Sequence, residues 1–240
     1  MLRIVLSTAI ACCLVITSCI PPGKSALRIA IAHSPGSSVL YLAQELGMFE
    51  KYGVDVELAE LNTCCESWEC FDEGNCDAAV VSFEEFMSRH SPTDGSGVLM
   101  LLAVPDTSNS AARDSCPKAA NCSGEEILIG NRSKLMLRRD EWQRVLLAYE
   151  HARLLAVSDM SSCVEIVAER EHSAPQDVIS NIAAWSLFSI MAQDSLLSRD
   201  GPYSHMNAHW QGRLFLTSAV STRLAADLMP NAGSPGDHAR

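Results

Sequence analysis

The residues best suited to binding chemistry lie at three points where a short apolar segment ends and a helical pattern begins. In α/β folds, ligands bind beyond the carboxyl ends of the strands, and a helix N-terminus offers free N–H groups to an anionic or strongly polar ligand. We therefore predict a ligand site built from His33, Ser34, Gly36, Ser37, Ser38, Thr63, Ser82 and Phe83. The same positions also suit ordinary helix N-caps and, for Phe83, a core position, so both interpretations stay open.

The first residues have the features of an export signal. One basic residue precedes an apolar run at 4–16, and about 13 residues are too few to cross the roughly 30 Å hydrocarbon core as a helix. The letters ITSC at 16–19 resemble the lipobox of bacterial lipoproteins, in which the cysteine is acylated. We predict a signal peptide at 1–18, a tether at 19–26 and lipidation of Cys19. The lipid would anchor the protein to the membrane, with the protein in the periplasm or an equivalent extracytoplasmic space. An ordinary cleaved signal is the alternative.

The chain has ten cysteines, of which Cys12 and Cys13 lie in the predicted signal and Cys19 is the predicted acylation site. The others are expected in an oxidising compartment, where they can form disulfides, and their odd number leaves at least one free or bonded to another chain. Two groups suit local bridges: Cys64, Cys65, Cys70 and Cys76, and Cys116 and Cys122. A zinc site is the rival interpretation, but no pair has CxxC spacing. We predict neither a metal nor another cofactor.

The sequence lacks the usual patterns of a catalytic site. No nucleophile elbow accompanies the cysteines at 64–65, and no HExxH spacing is present. The adjacent glutamates at 84–85 and 125–126 diverge in a helix or strand, so we expect them on solvated faces rather than in acid–base catalysis. The net charge of −11, without a basic stripe, argues against a nucleic-acid partner. These features predict a protein that is not an enzyme.

The apolar patterns predict an α/β fold. Strands are expected at 27–32, 54–58, 77–82, 98–104 and 126–129, and helices at 39–49, 65–73 and 84–88, with a turn at 33–38. Strands and helices alternate, which indicates a parallel sheet flanked by helices. From residue 135 onward the apolar spacing is helical, and further helices are expected around Trp185 and Leu214.

Five short stretches together resemble one protein family: LRIA at 27–30, PG at 35–36, YLAQELGMF at 41–49, YGVDVE at 52–57 and GNCDAAVV at 74–81. In this combination they resemble the N-terminal lobe of the substrate-binding proteins of ABC transporters for nitrate, sulfonate, taurine and thiamine precursors. The stretch at 138–229 resembles the C-terminal helices of the same family, with weaker signatures. The resemblance implies a type II periplasmic-binding-protein-like α/β fold with a helical C-terminal tail.

The chain departs from this family in its middle segment. The family builds a second lobe from roughly a hundred residues there. In this chain only about 30 residues lie between Pro105 and the helical stretch, too few to bury a core of their own. We predict an α/β lobe at 27–105, a reduced second-lobe remnant or linker at 106–134, and a helical C-terminal part at 135–230 that packs on the first lobe. The tail at 231–240 is expected to be disordered.

The resemblance implies a lipid-anchored solute-binding component of an ABC importer. Its ligand would be a small polar or anionic molecule of sulfonate, nitrate or thiamine-pyrimidine type. Its partners would be that small molecule, an ABC permease and, through the lipid anchor, the membrane. The alternative is a sensor or protein-interaction lipoprotein that retains the scaffold but not ligand binding between two closing lobes.

Overall fold

A six-stranded mixed sheet forms the centre of the protein. The computed structural model describes residues 25–91, 95–106 and 124–212. The strands are β1 (Leu27–Ala32), β2 (Val56–Leu61), β3 (Ala78–Ser82), β4 (Ser96–Pro105), β5 (Glu126–Asn131) and β6 (Trp185–Leu187), in the spatial order β2-β1-β3-β5-β4-β6. β1 is parallel to β2 and β3, β5 is antiparallel to β3 and β4, and β6 is antiparallel to β4. The predicted fold class is confirmed, although the sheet is mixed rather than wholly parallel.

β5 and β6 make the sheet mixed, and β5 does so in its interior. β5 is the strand that bears on the site. It follows β4 in the chain after about 20 residues and inserts between β3 and β4, with Ser82 opposite Glu126 and Ser96 opposite Asn131. A buried strand has the same apolar pattern in either direction, so the sequence could not show that β5 returns antiparallel. The strand predicted at 126–129 is present, and it lies in the middle of the sheet rather than in a separate segment at 106–134.

Helices cover both faces of the sheet. They are α1 (Pro35–Glu45), α2 (Met48–Lys51), α3 (Cys64–Asp72), α4 (Phe83–Arg89), α5 (Arg132–Leu137), α6 (Arg139–Ser158), α7 (Met160–Arg170), α8 (Pro175–Ala183) and α9 (Gln193–Leu197), with 3-10 turns at Ile190–Ala192 and Ser204–His209. Successive side chains of β1 point to opposite faces of the sheet and so belong to two cores. Ile29 and Ile31 pack with α1, α6, α7 and α8, whereas Ala30 packs with α3 and α4. The helical segment therefore packs directly on the α/β sheet.

Helix α1 begins at Pro35, before the predicted start at residue 39. Ser34 is its N-cap and accepts a 3.3 Å hydrogen bond from the N–H of Ser37, while the fixed φ of Pro35 suits the first helical position. Residues 35–38, predicted as a turn, therefore form the first helical turn. Gly47, with a φ of 65°, separates α1 from α2, so the single helix predicted at 39–49 is divided in two.

The segment around Trp185 forms β6, and the helix predicted there is wrong. The N–H of Asp106 donates to the carbonyl of Ala184 at 2.8 Å, and the N–H of Phe188 donates to the carbonyl of Leu102 at 2.9 Å. The backbone of this segment is thus paired with the edge of β4, a partner about 80 residues away that local periodicity cannot reveal. Leu214 lies outside the described residues.

A local bridge is present within the first cysteine group, because Cys70 is bonded to Cys76. Cys64 is also disulfide-bonded, whereas Cys65 and Cys163 are free thiols. Cys116 and Cys122 lie outside the described residues, as do Cys19, the predicted signal at 1–18 and the tail at 231–240. Within 25–91, 95–106 and 124–212, no helix is long and apolar enough to span a membrane, and no group of three or more potential ligands is placed to hold a metal ion.

Candidate functional site

The carboxyl ends of β1, β2 and β3 meet the amino end of β5 at one edge of the sheet. Ser82, the last residue of β3, is opposite Glu126, the first residue of β5, and Glu126 is also opposite Ala103 near the end of β4. Helices α1, α3 and α4 begin at this edge, directly after the three parallel strands. The reversed direction of β5 therefore places an acidic residue where the sequence predicted a ligand.

Glu126 is the buried centre of this edge. It is 1% exposed, and its Oε2 accepts a 2.7 Å hydrogen bond from the backbone N–H of Gly36. A Cβ on residue 36 would lie 2.5 Å from this oxygen, so the contact requires glycine. Burial raises the pKa of Glu126 to about 8; the hydrogen bond from Gly36 and the nearby hydroxyl of Ser34 oppose the rise, and the charge of Glu171 adds to it. This carboxyl group is therefore mainly protonated at neutral pH.

Glu171 is the second carboxyl group at the edge. It is the C-cap residue of α7, and its Oε1 accepts a 3.0 Å hydrogen bond from Ser38 Oγ. Burial raises the pKa of Glu171, while the hydrogen bond from Ser38 and the charge of nearby His33 act in the opposite direction. Because Glu171 is half-buried and His33 is exposed, these two residues mark the solvent side of the edge.

Tyr41 and Arg170 lie beside Glu171. The guanidinium carbon of Arg170 is 4.5 Å from the centre of the Tyr41 ring, a distance at which a cation and an aromatic face attract each other. Arg170 also forms ion pairs with Glu45 and Glu60. The Tyr41 hydroxyl is buried and has no hydrogen-bond partner in the part of the chain that the structure describes. The positive charge of Arg170 is thus already matched by two carboxylates.

Four of the eight predicted site residues lie around these two carboxyl groups: His33, Ser34, Gly36 and Ser38. Ser37 is fully buried in the first turn of α1, and its side-chain oxygen is 3.1 Å from that of Ser34.

The predicted hydroxyl residues serve as helix N-caps. Ser34, Thr63 and Ser82 accept hydrogen bonds of 3.3, 3.1 and 3.1 Å from backbone N–H groups in the first turns of α1, α3 and α4. The N-cap interpretation is therefore confirmed for all three. Ser34 Oγ already donates to Ser37 Oγ, whereas the hydroxyls of Thr63 and Ser82 still have a proton to donate, so for these two a cap is compatible with a ligand contact.

Phe83 belongs to a buried aromatic cluster. It is 9% exposed, its ring centre is 6.0 Å from that of Phe86, and it lies 5.2 Å from the ring of His205. The core interpretation therefore describes Phe83 in this structure. Neighbouring His209 completes the cluster, and burial, together with the charge of His90, lowers the pKa of His209.

Three residues of the edge were missed by the sequence analysis: Tyr41, Glu126 and Glu171. The expectation that both glutamates at 125–126 lie on a solvated face is wrong for Glu126. One signal for its burial was present, since Glu126 opens the apolar run Ile127-Leu128-Ile129. Glu171 and Tyr41 carried no local signal, because their proximity depends on how α7 packs against α1.

A cavity of about 520 Å³ lies elsewhere, near the amino end of β2. Its lining includes Gln44, Phe49 and Val56, and it contains none of the predicted site residues. β2 begins at Val56 beside this cavity and ends at Leu61 near the edge around Glu126. The cavity and that edge are therefore at opposite ends of the strands.

Comparison with solved structures finds the same fold in several proteins. The Candida albicans CA3427 gene product, which has the generic periplasmic binding protein fold, is 9% identical with a TM-score of 0.56 over 84% of this chain and 95% of that one. The nitrate-binding protein NrtA of Synechocystis PCC 6803 is 11% identical with a TM-score of 0.55, covering 89% and 90%. The aliphatic sulphonate-binding protein SsuA of Escherichia coli is 11% identical with a TM-score of 0.52, covering 81% and 90%.

No family model matches the chain, and no curated protein matches it in sequence. At identities of 9–11% the structural likeness establishes the fold. The chain has the periplasmic-binding-protein fold that its sequence resemblance implied.

Proposed function

We propose that this protein is the solute-binding component of an ABC importer, held to the membrane by a lipid on Cys19. It captures a small polar molecule outside the cytoplasmic membrane and delivers it to a permease, without a chemical step. The observation that carries the proposal is the convergence of strand ends, three helix N-termini and the carboxyl groups of Glu126 and Glu171 at one edge of the sheet.

Two features support this site over the cavity near β2. Ligands in open α/β sheets bind beyond the carboxyl ends of the strands, and the edge around Glu126 is at those ends. The edge also retains polar atoms without partners among the described residues, namely Glu126 Oε1 and the Tyr41 hydroxyl. Buried polar atoms are normally hydrogen-bonded, so such atoms are expected where a ligand completes the structure.

One observation favours the alternative of a sensor or protein-interaction lipoprotein. Only about 20 residues join β4 to β5, the place where the family that the sequence resembles inserts its second lobe. A solute held by one lobe alone leaves more of its surface in water than a solute enclosed by two. This alternative predicts a folded protein that no small molecule stabilises.

Thermal unfolding in the presence of candidate solutes tests the proposal. The protein carries Cys19→Ser to prevent lipidation, and the panel contains nitrate, taurine, alkanesulfonates, thiamine pyrimidines and organic cations. A ligand at about 100 times its dissociation constant stabilises the folded state by roughly 2.7 kcal/mol, which raises the melting temperature clearly. Stabilisation that is lost in Ser38→Ala but kept in Glu57→Gln, an exposed residue at the other end of β2, supports the proposal. A cooperative transition that no solute shifts contradicts it and favours the alternative.

Lipidation is tested separately by metabolic labelling with a fatty acid in a bacterial host. We expect the label on the wild-type chain and none on Cys19→Ser. A labelled Cys19→Ser variant, or an unlabelled wild type, would contradict the proposed anchor.

A further inference from the structure

We propose that the solute is a small organic cation, a protonated amine or amidine, held between the carboxyl groups of Glu126 and Glu171. The inference rests on the proposed function and names the class of ligand for that same site. It narrows the small polar or anionic ligand that the sequence resemblance implied to a cation, and it excludes nitrate and the sulfonates.

The first turn of α1 has no free N–H group to offer an anion. Pro35 has none, the N–H of Gly36 donates to Glu126, and the N–H of Ser37 donates to Ser34 Oγ. The N–H of Ser38 donates to the carbonyl of Ser34 at 2.9 Å. An anion binds at a helix N-terminus through such groups, and here the protein's own oxygens already accept from all of them.

Once Glu126 has lost its proton, the unfilled hydrogen-bonding capacity of the two glutamates is that of acceptors. Oε1 of Glu126 is buried and has no hydrogen-bond partner within the described ranges, although Oε2 of the same carboxyl group is bonded to Gly36. Glu171 accepts one hydrogen bond from Ser38 and, as a carboxylate, has capacity for more. An ammonium or amidinium group carries several N–H donors on one compact cation, so it donates hydrogen bonds to the carboxylates of both glutamates.

The charges around the site favour a cation. Glu60, Glu126 and Glu171 all act on this edge, and the nearby guanidinium of Arg170 is already paired with Glu45 and Glu60. An anion placed here would lie beside the carboxylates of Glu60 and Glu171, while the guanidinium of Arg170 is already paired. A ligand cation instead removes the repulsion that Glu171 exerts on Glu126.

Binding of a cation is linked to loss of the Glu126 proton. The titratable groups that face Glu126 from the packed helices are Glu171 after α7 and Tyr149 on α6, while the neighbouring strands present uncharged Ser82 and Ala103. Burial holds the pKa of Glu126 at about 8, so the free protein carries a proton that an incoming cation displaces. Affinity for a cation should therefore rise with pH, by up to about tenfold per pH unit below 8.

Isothermal titration of the Cys19→Ser protein at several pH values between about 6 and 8.5 tests the inference. The cationic probes are putrescine and benzamidine, and the anionic probes are nitrate and methanesulfonate. We expect a cation to bind with an affinity that rises with pH and with release of a proton to the buffer. Glu126→Gln should weaken binding at least about tenfold at the highest pH and remove the pH dependence. Glu171→Gln should also weaken binding, and it provides the test if Glu126→Gln does not fold. The control variant Glu57→Gln should bind as the wild type does.

Each outcome distinguishes the inference from the proposed function. Binding of nitrate or methanesulfonate without binding of a cation overturns the cation inference and leaves the solute-binding function intact. Cation binding that persists in Glu126→Gln and Glu171→Gln overturns the assignment to this edge. If neither these probes nor the wider solute panel binds, both the inference and the proposed function are wrong.

Discussion

The backbone N–H of Gly36 donates a 2.7 Å hydrogen bond to Oε2 of Glu126, a residue 90 positions further along the chain. The contact joins the first turn of α1 to the first residue of β5. It places a carboxyl group of the protein at the helix N-terminus where a polar or anionic ligand was expected. Both the chemistry of the edge and its stability depend on this contact.

Gly36→Ala should destabilise the protein. The new Cβ would lie 2.5 Å from Glu126 Oε2 and 3.0 Å from Leu102 Cβ, so the buried carboxyl group must move. We expect a loss of roughly 1–3 kcal/mol in the free energy of unfolding, the usual cost of overpacking, measured by urea denaturation. Gly47→Ala is the control, since its Cβ meets no atom within 4 Å and its cost is about 1 kcal/mol for the left-handed backbone. Because alanine otherwise favours a helix over glycine, unchanged or increased stability in Gly36→Ala would contradict the contact.

Stability should fall as pH rises from about 4.3, the ordinary pKa of a glutamate, to about 8. In this window the unfolded chain loses the Glu126 proton while the folded protein keeps it, so raising the pH favours unfolding. Above about 8 both states are ionised and this contribution stops changing. The expected total is on the order of a few kcal/mol and is measured by urea denaturation across the window.

Glu126→Gln isolates the contribution of this carboxyl group, because an amide does not ionise. We expect the variant to unfold with a shallower pH dependence than the wild type, and Glu57→Gln to follow the wild type. A slope that Glu126→Gln leaves unchanged would show that the carboxyl group does not keep its proton in the folded state.

Glu150→Ala should be among the most destabilising substitutions in α6. Glu150 is 1% exposed, pairs with Arg153 at 2.6 Å and accepts hydrogen bonds from Ser189 Oγ at 2.8 Å and the N–H of Ile190 at 2.9 Å. Its removal leaves Arg153 with an unpaired charge that is largely buried, which typically costs about 3–5 kcal/mol. Chemical denaturation measures the loss. The exposed Glu165→Ala in α7 should change stability by no more than about 0.5 kcal/mol, and a similar small effect for Glu150→Ala would refute the network.

The two free thiols should differ in reactivity toward an alkylating reagent. Cys65 is half-buried and lies 2.8 Å from Nη2 of Arg89, whereas Cys163 is 4% exposed and burial raises the pKa of its thiol. Since the thiolate is the nucleophile, iodoacetamide should modify Cys65 in the folded protein and Cys163 only after unfolding. Peptide mass spectrometry at successive times measures the order, and earlier modification of Cys163 would contradict the packing of α7.

Local patterns were sufficient to predict β1, α3, β3, α4 and β4, because each has its apolar residues at strand or helix spacing and its caps beside it. They failed where a partner distant in sequence decides the structure. The segment at Trp185 forms a strand because its backbone pairs with β4. β5 runs antiparallel because the chain turns back and inserts between β3 and β4. Neither partner can be inferred from the residues of the segment itself.

The candidate site was predicted in part for the same reason. His33, Ser34, Gly36 and Ser38 follow a strand end and could be predicted from the sequence, with a small polar or anionic molecule as the expected ligand. Glu126 and Glu171 approach them only in the folded chain, one through β5 and the other through α7. These two residues change the expected charge of the ligand, so the chemistry of the site depends on tertiary structure more than its position does.

Hydrogen exchange with and without a solute that raises the melting temperature tests the central claim most directly. The claim is that a solute binds at the carboxyl ends of the strands, so we expect slower exchange of backbone amides at 33–38 and 126–127, with little change at 47–56 around the cavity near β2. Protection confined to 47–56, or absent from the edge around Glu126, would contradict the claim and move the binding site elsewhere.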